Sequence, residues 1–136
     1  IASIVLYDNE LDPSANGAAY IDYVNDGTAL LRARCGPRDR VLTMDMANPF
    51  PYALGWPPAH GGLSATMFNY IISATMRPSD DEYFGDATVF MVPKRPALGT
   101  FYDLYYKGIY TTYSPGLRER FDLAAESPLW RLYRRK

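Results

Sequence analysis

The chain holds one cysteine and one histidine in 136 residues, so each of these residue types lacks a second copy to work with. Cys35 alone excludes an internal disulfide and a cysteine-based metal cluster, and it leaves the compartment open. His60 alone gives no zinc-type spacing and no Ser-His-Asp order. No apolar run approaches the roughly 18 residues that a bilayer-crossing helix needs. An excess of charge is missing too: 14 Lys and Arg stand against 15 Asp and Glu, a net charge of −1. That balance removes the electrostatic basis for a nucleic-acid partner. Gly61-Gly62 lacks the G-x-G-x-x-G spacing of a dinucleotide site. No secretory leader, internal repeat, low-complexity tract or linker is legible. The chain starts at Ile1 rather than Met, which raises the expectation of a piece of a longer or processed protein.

What is present is an ordinary globular balance, with 48% apolar and 21% charged residues. One domain over residues 1–136 is expected, long enough to bury a core without staples. The 12 tyrosines are numerous for this length and suit half-buried faces and contact surfaces.

Residues 1–7 are apolar and β-branched, which predicts a strand, followed by turn residues. Asp12 could cap a helix with Pro13 at its first position, whereas Asn16-Gly17 argues for a later start. From Ala18 the period is helical, with Ile21, Val24, Thr28 and Leu31 on one face and Tyr20 and Leu30 at its margins. Gly27 weakens this helix, and Cys35-Gly36-Pro37 ends it. Residues 41–46 form a strand apolar enough to be covered on both faces. Residues 65–75 fit a helix by length, although 66–72 also allow a strand. Ser79 and Glu82 make a capping box for a short helical turn. Residues 87–92 predict a second buried strand stopped by Pro93. Thr100 and Asp103 open another helix, whose stripe runs through Phe101, Leu104, Tyr105, Gly108 and Thr112 and which Ser114-Pro115-Gly116 ends. Residues 120–126 and 129–134 form a hairpin about Ser127-Pro128. The expected fold is α/β: a three-layer sandwich with a mixed, mostly parallel sheet ending in an antiparallel hairpin.

The segment after the first central strand stands out. Asn48-Pro49-Phe50-Pro51-Tyr52-Ala53-Leu54-Gly55-Trp56-Pro57-Pro58 combines four prolines with three aromatics. Prolines reduce the entropy lost on ordering, and aromatics supply area to bury. Ligands of open α/β sheets gather beyond the carboxyl ends of strands, which is where this segment lies. Phe50, Tyr52 and Trp56 are candidate contact residues: Tyr52 and Trp56 could stack on sugar rings, or the segment could pack as a lid on its own domain or a neighbouring one. Asp45 could orient a ligand or hold the following loop. Asn48 before Pro49 suits a turn or a ligand contact. His60 could act as a general base or ligand donor, or simply bond to backbone. Asp86 after Gly85 reads as a turn residue, and Asp80-Asp81-Glu82 as helix-start carboxylates rather than a metal cluster. Cys35 beside Arg34 and Arg38 reads as a small buried hydrophobe, and the basic tail of Arg131, Arg134, Arg135 and Lys136 as a solvated strand end. No metal or cofactor is expected.

Three stretches carry a family resemblance: Val41 through Pro58, Phe84 through Lys94, and Glu126 through Arg135. Together they resemble the soluble C-terminal domains of bacterial polytopic membrane proteins of the glycosyltransferase C class, relatives of the dolichyl-phosphate-mannose mannosyltransferases. The resemblance implies a parent that moves a sugar from a polyprenyl-phosphate carrier to an acceptor outside the cytoplasm. In that class the catalytic carboxylates lie in loops of the membrane part, which no stretch of this chain matches. The resemblance therefore implies an accessory domain, non-catalytic alone, at the extracytoplasmic (periplasmic) face of the bacterial inner membrane. Its partners would be the transmembrane part of the same protein and carbohydrate or lipid-linked sugar. The rival reading is a free-standing α/β enzyme, or a small-ligand or carbohydrate-binding module, with a site near Asp45, Asn48 and His60.

Overall fold

A computed structural model of the chain describes residues 17–45, 47–62, 68, 71–95 and 99–136. In order these form α1 (Gly17–Arg34), β1 (Val41–Thr43), α2 (Phe50–Leu54), α3 (Asp80–Phe84), β2 (Val89–Pro93), α4 (Gly99–Arg120), β3 (Phe121–Glu126) and β4 (Trp130–Arg135). The strand expected at 1–7 and the cap at Asp12 lie outside the described residues, as do residues 65–67, 69 and 70 of the segment 65–75. Where that segment is described, residues 71–77 are turn and bend with an isolated bridge at Ile72 rather than helix.

The four strands form one mixed sheet in the order β1-β2-β4-β3. Only β1 and β2 run parallel, in the register Val41↔Val89 to Thr43↔Met91. β4 lies antiparallel to β2 and to β3. The α/β fold with a mixed sheet and a closing hairpin is as expected, but its parallel part is one pair and not the majority. The reason is connectivity. A parallel pair needs a crossover, which 44–88 supplies, whereas the tight turn at Ser127-Pro128 makes β3 and β4 antiparallel.

Side chains alternate across the sheet and so create two cores. Val41, Val89, Met91, Trp130 and Leu132 face α1 and α2, where Tyr23, Leu30, Leu31 and Phe50 meet them. Leu42, Phe90, Val92 and Phe121 face α3 and α4, where Tyr83, Phe84, Ile109, Tyr113 and Leu117 cover them. These are the three layers. Every residue of β2 is buried, as its unbroken apolar run requires.

Two helix expectations change. On α1 Thr28 and Leu31 are buried as expected and Tyr23 and Leu30 join them inside, whereas Ile21, expected on the same face, is 43% exposed. α4 also continues through Pro115 to Arg120. An interior proline costs about 3 kcal/mol. Ile109, Tyr113 and Leu117 lie four residues apart and are all buried against the sheet. Each such burial contributes about 1.5–3 kcal/mol, so packing outweighs the proline. The capping box is as expected: the Glu82 N–H donates to Ser79 Oγ, and the Ser79 N–H donates to the Glu82 carboxylate.

Candidate functional site

The candidate site is a groove between α1 and the proline-rich segment. Its shape begins at the end of β1. Thr43 Oγ1 donates to the Ala47 carbonyl at 2.9 Å, and Asn48 Nδ2 donates to the Val41 carbonyl at 2.8 Å. The chain is thereby turned back beside its own strand. Pro49 then takes a helical conformation ahead of the short α2. Gly55 ends α2 at φ 66°, in the left-handed region that suits glycine. The Trp56 N–H reaches the Pro51 carbonyl at 3.0 Å, and the Gly55 N–H reaches that of Tyr52 at 3.3 Å. These two bonds satisfy the last carbonyls of a helix too short to hold together alone.

The two sides of α2 have different fates. Phe50 is fully buried, with its ring edge-on to Trp130 at 5.0 Å between centroids. Leu54 and Trp56 pack against the same core. Tyr52, in contrast, is 88% exposed. Together with Pro49 and Ala53 it faces Tyr20, Ile21, Val24 and Asn25 of α1, enclosing a groove of about 370 Å³. Asn25 supplies the one side-chain amide among these residues.

Asp45 ties the end of β1 to α1. It accepts a hydrogen bond from the Tyr23 hydroxyl. Burial, and then the Asp45 charge, push the Tyr23 pKa far above its ordinary value. The same two causes raise the pKa of Tyr20 on the groove wall. Both tyrosines are therefore neutral donors at any physiological pH, and the carboxylate holds loop and helix together.

His60 lies elsewhere. Asp45 follows β1, whereas His60 pairs with Asp86, three residues ahead of β2. Because these strands are parallel, the two groups sit toward opposite ends of the pair. His60 Nδ1 lies 2.9 Å from Asp86 Oδ2, and the His60 N–H donates to Asp86 Oδ1 at 2.6 Å. The Asp86 N–H returns a bond to the His60 carbonyl at 2.9 Å. The hydrogen bond from His60 is the main reason the Asp86 carboxyl is held below its ordinary range. The two turns touch through glycine: a Cβ on Gly85, at φ 44°, would lie 1.8 Å from the His60 carbonyl oxygen. The imidazole is 89% exposed, and no hydroxyl or thiol bonds to it among the described residues.

The structure thus joins Tyr52 to α1 and sets Asp45 next to Tyr20. It commits Asn48 to the backbone of β1, Phe50 and Trp56 to packing, and His60 to Asp86. Sequence reading assigned Ile21 and Val24 to the inner helix face and missed that they line the groove with Tyr20 and Asn25. A signal was available, because the apolar positions of α1 span more of its circumference than one core contact needs. The pairing of His60 with Asp86 had no local signal, since 26 residues separate them. Among the described residues no group of three His, Cys, Asp or Glu could hold a metal ion. No helix of the described residues is long and apolar enough to cross a membrane. Comparison of the chain with protein-family models, curated proteins and solved structures finds no match.

Proposed function

We propose that this domain works by contact: an accessory α/β module, non-catalytic alone, that docks a partner in the groove between α1 and α2. The observation that carries this reading is Tyr52, a large aromatic left 88% exposed on a short helix whose other side is locked into the core. An exposed aromatic on a rigid support pays little entropy on binding, which is why tyrosine is favoured at interfaces. The opposing wall, with Ile21 exposed beside Tyr20 and Val24, is apolar as docking surfaces are. In the setting that the family resemblance implies, the docked partner is the membrane part of a polyprenyl-phosphate-sugar-dependent glycosyltransferase, outside the cytoplasm.

A photo-crosslinking residue at position 52, in the protein as the cell makes it, tests this. The expected product is a crosslink to a membrane-spanning segment. Turnover by the isolated chain that is lost in His60→Ala or Asp45→Asn would overturn the reading. The same exposed ring also favours carbohydrate as the bound partner. That second reading expects glycan-array binding that Tyr52→Ala abolishes, with Trp56 contributing little because it packs inward.

A further inference from the structure

Residues 1–76 carry Lys or Arg at four positions only, and all four are arginines of one short stretch: Arg32, Arg34, Arg38 and Arg40. The stretch begins in the last turn of α1 and ends where β1 starts. Arg32, Arg34 and Arg38 are exposed, and their side chains make no hydrogen bond, ion pair or ring contact among the described residues. Elsewhere cations are matched: Arg77, Lys94, Arg120, Arg131, Arg134 and Lys136 each pair with a carboxylate. The one acid of the stretch, Asp39, is already committed. It accepts from the Gly36 N–H at 3.0 Å, from Thr88 Oγ1 at 2.9 Å and from Arg134 Nη1 at 3.1 Å. Cations at a helix C-terminus ordinarily serve its negative dipole end. Here Arg134 takes that part, donating from Nη2 to the Arg34 carbonyl at 2.9 Å, and Arg38 lies beyond the helix. The Asp39 N–H reaches the Gly36 carbonyl at 2.9 Å and closes the turn. Three guanidinium groups without a counter-charge therefore stand on a fixed corner of the fold.

Resting on the contact reading only for a membrane close by, we propose that this corner docks on the phosphates of an anionic lipid surface. Charge complementarity selects an anionic partner. The residue type selects phosphate: guanidinium forks match its oxygens in pairs, and the stretch uses arginine at every cationic position. Because the exposed groups stand on a helix end and a turn, they meet a surface rather than surround a small ligand. A nucleic acid fits less well. Its backbone calls for a basic stripe that follows it, and no Lys or Arg occurs from residue 41 to 76. A lipid surface instead offers many phosphates to one small corner, and each cation near it adds to the attraction.

Flotation of the chain with phosphatidylcholine vesicles, alone and with about 30% phosphatidylglycerol, tests the inference. Binding is expected to the anionic vesicles at low salt, to fall at high salt where exposed charges are screened, and to be absent with the neutral vesicles. The double variant Arg34→Gln, Arg38→Gln should bind about tenfold more weakly, and Arg38→Gln alone about threefold. Because these side chains touch nothing, thermal unfolding of both variants should match that of the parent. Arg131→Gln, which removes a cation paired with Glu126, should leave binding unchanged. Equal binding to neutral vesicles, no binding to anionic ones, undiminished binding by the double variant or an equal loss in Arg131→Gln would each overturn the proposal. Tighter binding to single-stranded RNA than to anionic vesicles would overturn it as well and assign the corner to nucleic acid. The crosslink from position 52 reports separately. Its presence without vesicle binding would strike the lipid docking alone, and vesicle binding without it would strike the groove reading alone.

Discussion

Gly27 sits in the interior of α1, where helix propensity disfavours glycine by about 1 kcal/mol relative to alanine. The structure explains its presence. A Cβ there would lie 2.5 Å from the Phe50 ring and 2.8 Å from Trp130 Nε1. Phe50 and Trp130 are fully buried, and the indole N–H donates to the Tyr23 carbonyl at 2.8 Å, so neither ring has room to retreat. Gly27→Ala is therefore expected to destabilise the fold, because overpacking of about 1–3 kcal/mol exceeds the propensity gain. Chemical denaturation followed by circular dichroism checks this. Pairing the substitution with Phe50→Leu should recover part of the loss, since the two sites share one contact. This glycine also sets the groove, because α2 can approach α1 only where a side chain is missing.

Local chemistry decides some elements and tertiary packing decides others. α3 has five residues, and isolated helices of that length do not persist in water. Its capping box satisfies N–H groups at its start, and Tyr83 and Phe84 anchor it, with Tyr83 stacked on Tyr113 at 3.7 Å between centroids. Ser79→Ala removes the cap and is expected to cost about 1 kcal/mol. Amide exchange should report the effect first in α3, and unchanged protection there would show that packing alone holds it. The Ser79–Glu82 spacing made this element readable in advance. The end of α4 was not readable, because Ser114-Pro115-Gly116 is a sound local stop signal that burial of Tyr113 and Leu117 overrides. At Gly116 a Cβ would sit 2.9 Å from the Phe84 ring, so close packing of α3 on α4 accounts for a residue that read as a terminator.

For the whole molecule, the sheet is shared by two cores, and carboxylates tie the turns at the ends of its strands together. Burial pushes the Asp39 pKa up. Hydrogen bonds from the Gly36 N–H, Thr88 Oγ1 and Arg134 outweigh that and hold it below its ordinary value. Asp86 is lowered too, chiefly by the hydrogen bond from His60. A carboxyl whose pKa is lower in the folded chain than in the unfolded one stabilises the fold above the unfolded value, about 3.9 for Asp. That stabilisation is lost as pH falls through the lower folded value. Stability is therefore expected to drop below about pH 4. Urea midpoints at neutral and acid pH should show a smaller drop in Asp39→Asn, which has already lost the titrating group. An equal drop in both would place the acid sensitivity elsewhere.

Periodicity and short-range chemistry in the sequence determined the α/β class, the fully buried β2, the hairpin about Ser127-Pro128, the capping box and the ordering of the proline-rich segment. Each of these depends on residues within a few positions of one another. Only the tertiary structure decided that Phe50 and Trp56 turn inward while Tyr52 turns outward, that Asp45 serves Tyr23, and that His60 belongs to Asp86. Those outcomes depend on contacts between residues far apart in the chain, and no local pattern encodes which surface a helix will find opposite it.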